Sequence, residues 1–175
     1  MARSFYNLHL DDNETGAVAE APDDIDFSFY FNLHLHKDLP WEFIIDEGVV
    51  EDYLANDVGF PMLSPKLKKI FESYKTVGQH WTKATVYDSR TKEYLNYSII
   101  SYREKADVIN TEETTYQPPG LILVPVFSLK KIGDLQYFPQ PDKYDFNLVI
   151  SGDMRMAMVS SGITGVSFSK AHLSK

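Results

Sequence analysis

Residues 27–36, "FSFYFNLHLH", alternate without a break: Phe27, Phe29, Phe31, Leu33 and Leu35 on one side, Ser28, Tyr30, Asn32, His34 and His36 on the other. Successive side chains of an extended chain point to opposite faces, so this alternation predicts a half-buried strand. Its core, Asn-Leu-His-Leu, also occurs at residues 7–10 within "FYNLHL". The repeat predicts a second strand of like pattern, with Tyr6, Leu8 and Leu10 on one side and Asn7 and His9 on the other. Between the copies, "DDNETGAVAEAPDDID" (11–26) reads as an acidic loop broken by Gly16 and Pro22. It is longer than a tight hairpin needs, which makes it a candidate recognition loop.

The rest of the chain alternates strands with a few helices. "DLPWEF" onward is apolar, with a short helix expected around Glu51–Ala55. "LSPKLKKIFESYK" is the clearest helix: Ser64 can cap it, Pro65 suits its first position, and Leu67, Ile70, Phe71 and Tyr74 form a 3.6-period stripe. Lys66, Lys68, Lys69 and Lys75 take the rest of that surface. "WTKATVYDSRTKEYLNYSIISYR" predicts a hairpin turning at "DSRTKE". "LILVPVF" (121–127) reads as a buried strand with Pro125 at an edge or bulge, and "YDFNLVIS" as another strand. In "SGDMRMAMVSSGITGVSF", Ser151 can cap a helix whose Met154, Met158 and Val159 face inward. Gly162 then stands where a left-handed C-cap glycine belongs, with a turn at Gly165. The expected fold class is α+β: one domain over residues 1–175, a mainly antiparallel sheet and two or three helices.

Charge is segregated. Residues 1–60 hold 14 Asp/Glu against 2 Lys/Arg, and residues 61–175 hold 11 against 15, which together give the net −8 of the chain. An acidic N-terminal third repels phosphate and argues against nucleic acid as its partner. The chain has no cysteine, so disulfides, thiolate metal sites and a cysteine nucleophile are excluded. No apolar run approaches the roughly 20 residues of a membrane span, and the N-terminus lacks a secretory h-region. The expectation is a cytoplasmic protein with no membrane partner.

The residues admit three chemistries. His9, His34 and His36 would form a three-imidazole site on one sheet face if the two repeat copies lay side by side, the basis of a metal-dependent hydrolase. The alternative is a solvent-facing polar row. Acidic pairs at Asp11–Asp12, Asp23–Asp24 with Asp26, and Asp46–Glu47 could serve as metal-assisting carboxylates, but no His or Lys of matching role accompanies them. Read as a contact surface, the acids Asp11, Asp12, Glu14, Asp23, Asp24, Asp26, Asp38, Asp46 and Glu47 suit a basic protein partner. "SSGITG" is not a nucleophile elbow, and no phosphate-binding glycine loop occurs, so no catalytic residue and no cofactor is expected. A third reading is a self-associating module in which Tyr30, Tyr116 and a strand edge pair with other copies.

"MLSPKLKKIFES", "ATVYDSRTKEYLNYSIISYREKADVIN" and "LKKIGDLQYFPQPDKYDFNLVISGDMRMAMVSSGITGVSF" follow one another in an order that resembles a bacterial family of polymorphic-toxin immunity proteins. The matching positions are Ser64, Tyr94, Asp107, Ile109, Ser151, Gly162, Gly165 and Phe168; Asn110 stands where that family often carries Asp. The resemblance covers the part from residue 61 onward and leaves the acidic residues 1–60 outside it. It implies a non-enzymatic antitoxin that binds and neutralises one cognate toxin domain, basic and nuclease-like in charge.

Overall fold

The computed structural model describes residues 3–11, 14–26, 28–118, 120–140 and 147–174, with residues 30 and 31 described by their backbone alone. Asp12, Phe27, the side chain of Tyr30 and residues 144–146 of one expected strand lie outside the described residues. In chain order the elements are β1 (Phe5–Leu10), β2 (Val18–Ala19), α1 (Ser28–Phe31), a 3-10 turn (Leu33–Leu35), β3 (Asp38–Ile45), β4 (Tyr53–Asn56), β5 (Met62–Leu63), α2 (Pro65–Glu72), β6 (Gln79–Asp88), β7 (Glu93–Tyr102), β8 (Thr115–Gln117), β9 (Leu121–Val124), β10 (Val126–Ser128), α3 (Leu129–Ile132), β11 (Tyr137–Pro139), β12 (Leu148–Ser151), α4 (Gly152–Ser160), β13 (Val166–Lys170) and β14 (His172–Ser174).

The expected hairpin is the longest pairing, β6 against β7 from Gln79 opposite Tyr102 to Asp88 opposite Glu93. It lies within a six-stranded sheet of order β2-β4-β5-β7-β6-β3. That sheet does not end in two free edges. Glu20, just past β2, exchanges two backbone hydrogen bonds with Ile44 of β3, at 2.8 and 2.9 Å. The outermost strands therefore meet at this pair, and the sheet curls into a small barrel closed there. Closure explains the sequence inside it. Phe43, Ile45, Leu54, Met62, Val86, Tyr97 and Ile99 fill the interior, and Ala17, Ala19 and Ala84 make room for them. Leu33 and Phe60 plug the remaining space.

A second, antiparallel sheet of order β11-β12-β1-β13 packs beside the barrel. Helices α2 and α4 lie between the two, touching each other and the strands on either side. The strands alternate as period 2 requires. Leu8, Tyr137, Leu148 and Ile150 face α2 and α4, in a cluster shared with Leu63, Ile100, Leu67, Phe71, Met154 and Met158. Phe5, Phe138 and Val149 face the other way, onto Val108, Phe127 and Ile132. The protein is thus α+β, mostly antiparallel, with parallel pairs at β2/β4, β3/β6 and β10/β14.

Both long helices begin as their sequences predict and α4 also ends so, whereas α2 stops at Glu72, short of Tyr74. The Ser64 hydroxyl accepts from the Leu67 amide at 3.1 Å, and that of Ser151 accepts from Met154 at 3.2 Å, each satisfying a free amide of the first turn. Gly162, at φ +62°, closes α4: its amide bonds Val159 and the next amide bonds Met158, the paired arrangement of a left-handed cap. Gly165 (φ +74°) allows a close pass, since a Cβ there would sit 2.3 Å from the Tyr53 carbonyl.

Five expectations are corrected. Residues 28–35 are not a strand but one turn of helix followed by a 3-10 turn. The cause is local hydrogen bonding: Asp26 accepts from the Ser28 amide and hydroxyl, and the Asn32 side chain bonds back to the Ser28 carbonyl. The acidic stretch 11–26 is not a plain loop, because it carries β2 and the closing residue Glu20. Tyr53–Asn56 is a strand rather than part of a helix, and it places Tyr53 and Leu54 in two different clusters on its two faces. The run 121–127 splits at Pro125 into β9 and β10, and Leu121, Leu123 and Val124 are exposed rather than buried. Val159 is exposed, because Met154 and Met158, four apart, already define the buried side of α4.

Candidate interaction surface

The structure divides the nine acids singled out from the sequence. Asp11 follows β1, its amide bonded to Gly165. Glu14 stands next to Thr15, whose carbonyl accepts from Val49; Val49 follows Asp46, Glu47 and Gly48. Glu14, Asp46 and Glu47 therefore gather at one end of the barrel. Gly48 lets this happen: its φ is +82°, and a Cβ at that position would sit 2.6 Å from the Ala17 backbone, so no side chain fits. Asp23 and Asp24 are exposed, and Asp26 leads into α1. Through Phe29, stacked on His36 at 3.7 Å and edge-on to Trp41 at 5.2 Å, α1 sits at the opposite end of β3. Asp38 is there too, roughly 25 Å of strand away from Asp46, and paired in register with Lys83.

The histidines do not come together. His9 lies on β1 and contacts the Ser169 hydroxyl at 2.8 Å. His36 is stacked on Phe29, and His34 occupies the 3-10 turn beside the barrel. No group of three His, Cys, Asp or Glu residues able to hold a metal occurs among the described residues. A cavity of about 360 Å³ opens where β1 meets the start of α4, lined by Arg3, Tyr6, Gln136, Asp153 and Arg155 among others. Arg3 donates to the Gly133 and Leu135 carbonyls, and Arg155 lies over the rings of Tyr6 and Phe168. Among the described residues that line it, the one carboxylate is Asp153.

Two features of the barrel ends are built for rigidity. Asp88 is buried, and it accepts from the Arg90 side chain at 2.7 and 2.9 Å and from its backbone amide at 3.0 Å. This hydrogen bonding holds the Asp88 carboxyl far below the usual carboxylate range. Arg90 also donates to the Gly48 carbonyl, tying the hairpin tip to the Asp46–Val49 turn. At the other mouth, the buried Thr82 hydroxyl reaches the Leu33 and His36 carbonyls at 3.0 and 2.8 Å and holds the 3-10 turn in place.

Between these ends lies a feature that single-strand reading could not find. The barrel's outer wall is covered by α2 at Trp81 and Ile100 and then becomes bare. Its uncovered part presents Glu42, Ile44, Tyr87, Tyr94 and Asn96, none of which belongs to a core cluster. The alternation of β6 and β7 was the signal for Tyr87 and Tyr94. Ile44 and Glu20 needed the closure of the sheet. No family model matches the chain, and no curated protein matches it. Among the described residues no helix is long and apolar enough to cross a membrane.

Proposed function

We propose that this protein is a cytoplasmic immunity protein, which binds a cognate toxin domain of basic charge and blocks it through an acidic surface. The observation that carries this reading is charge segregation: a net of 2 − 14 = −12 over residues 1–60 in a chain whose remainder is positive. Acidic groups arranged against a basic partner raise the encounter rate and exclude wrong partners. The exposure of Asp23, Asp24, Asp46 and Glu47 supports it, as does the resemblance of the segments after residue 61. Co-expression with a basic toxin-like domain sought among the products of genes beside this one is the test. Restored growth together with co-purification of a stable complex is expected. Continued killing, with no complex recovered from an active toxin, rejects the reading for that pair.

A further inference from the structure

The register of four neighbouring segments sets one row of side chains across the bare wall of the barrel. Glu20 stands opposite Ile44, Ile44 beside Tyr87, and Tyr87 opposite Tyr94. Residues paired in this way project from the same face, so the four form a continuous band. Tyr94 is 60% exposed and Ile44 46%, and the two tyrosine rings lie 5.0 Å apart. Glu42 occupies the next row, and Asp46 follows β3 and accepts from the Ser89 hydroxyl; among the described residues neither these nor Glu20 has a salt-bridge partner. The platform is carried on paired strands and pinned by the Arg90 contacts at its tip, so little ordering remains to be done on binding.

We propose that this wall, with Ile44, Tyr87 and Tyr94 at its centre and Glu20, Glu42 and Asp46 at its rim, is the docking surface for a basic face of a protein partner. The proposal rests on the immunity reading and replaces the acidic loop with a structured wall as the contact. Tyrosine is favoured at the centre of interfaces because a large rigid ring is buried at little entropic cost. Its face also attracts arginine and lysine, which the surrounding carboxylates can pair at the same time. The rim settles the occupant. A second copy of this chain would set these carboxylates against one another, whereas a cationic surface meets opposite charge at Glu20, Glu42 and Asp46.

The test uses the 175-residue chain and the toxin domain that the co-expression test identifies, with binding kinetics read at low and high salt. Tyr94→Ala and Ile44→Ser are expected to weaken the complex by about tenfold or more. Glu42→Lys, at an exposed position, is expected to slow association several-fold, with the difference shrinking as salt rises. Circular dichroism of each variant separates lost binding from lost fold, and Glu42→Lys stands in if either apolar variant fails to fold. A complex that forms normally with all three variants, or that is broken only by Asp23→Lys with Asp24→Lys, overturns the wall while leaving the immunity reading intact. No complex with the unaltered chain overturns both. Self-association of the unaltered chain that Tyr94→Ala abolishes would make a second copy the occupant and overturn the proposal.

Discussion

Asn7–Leu10 and Asn32–Leu35 are the same four residues in different structures. The first copy lies within β1, the strand between β12 and β13, where β12 pairs it as far as Leu8 and β13 as far as Leu10. The second is a 3-10 turn that sends Leu33 into the barrel and leaves Leu35 66% exposed. Both copies bury one leucine, Leu8 at 3% and Leu33 at 2% exposure. The difference lies in what surrounds them. β1 has strands waiting on both sides, whereas the second copy follows Asp26 and Ser28, whose side chains satisfy backbone groups locally and start a helix. Leu33 also sits four residues after Phe29. An alternating pattern contains every i, i+4 pair, so it serves a helical face as well as a strand.

Mutations can break this comparison at several strengths. The largest effect is expected from the two buried leucines. Leu8→Ala and Leu33→Ala should each cost about 2–5 kcal/mol, measured by denaturant unfolding, because each leaves a cavity in a separate cluster. A loss at Leu33 no larger than at an exposed leucine would mean that the turn does not plug the barrel in solution. Next is Thr82→Val, which removes the buried hydroxyl bonded to the second copy and nothing from the first. It should cost about 1 kcal/mol. Increased amide exchange at residues 33–36, with β1 unchanged, is the accompanying sign.

The acids give a pH signature with a defined direction. Hydrogen bonds lower the folded-state pKa of Asp88, from Arg90, and of Asp26, from Ser28. Each therefore contributes stability above its unfolded pKa, near 3.9, and that contribution is lost as pH falls through the lowered folded value. Asp88→Asn should be less stable than the unaltered chain at neutral pH, with the gap narrowing below about pH 4. Asp26→Ala should do the same more weakly, and by loosening α1 rather than the hairpin tip. A gap that stays constant into acid would show that neither carboxylate depends on its charge. The smallest effects belong to Leu35→Ala and His9→Ala, both at exposed positions and each expected within about 0.5 kcal/mol of the unaltered chain.

Much of the fold is readable because its signals are local. Ser64, Pro65 and the Leu67–Phe71 stripe specify α2 without reference to anything distant, and Ser151 and Gly162 do the same for α4. The hairpin follows from alternation on both sides of a short turn. The acidic character of the N-terminal third is read directly, as is the exposure of most of its carboxylates. The contact wall is harder to see. Glu20 and Ile44 are 24 residues apart, and nothing in either sequence marks them as neighbours of Tyr87 and Tyr94. The acids singled out from the sequence fall at both ends of β3, because closeness along the chain does not say which strand end a loop will reach.

By itself, then, the sequence determined α2 and α4, their serine N-caps and the glycine that ends α4, the long hairpin, the excess of negative charge and the α+β class. Each rests on side chains acting within a few residues or on a sum over the chain. Closure of the six-stranded sheet was decided by the tertiary structure, as was the fate of the second Asn-Leu-His-Leu. A two-residue strand such as Val18–Ala19 has no stability of its own. It forms because Tyr53–Asn56 offers it backbone partners, and Glu20 then finds those of Ile44. An apolar residue every second position says only that something must be buried. Whether an extended strand or a turn buries it depends on which unpaired backbone groups the rest of the fold brings within reach.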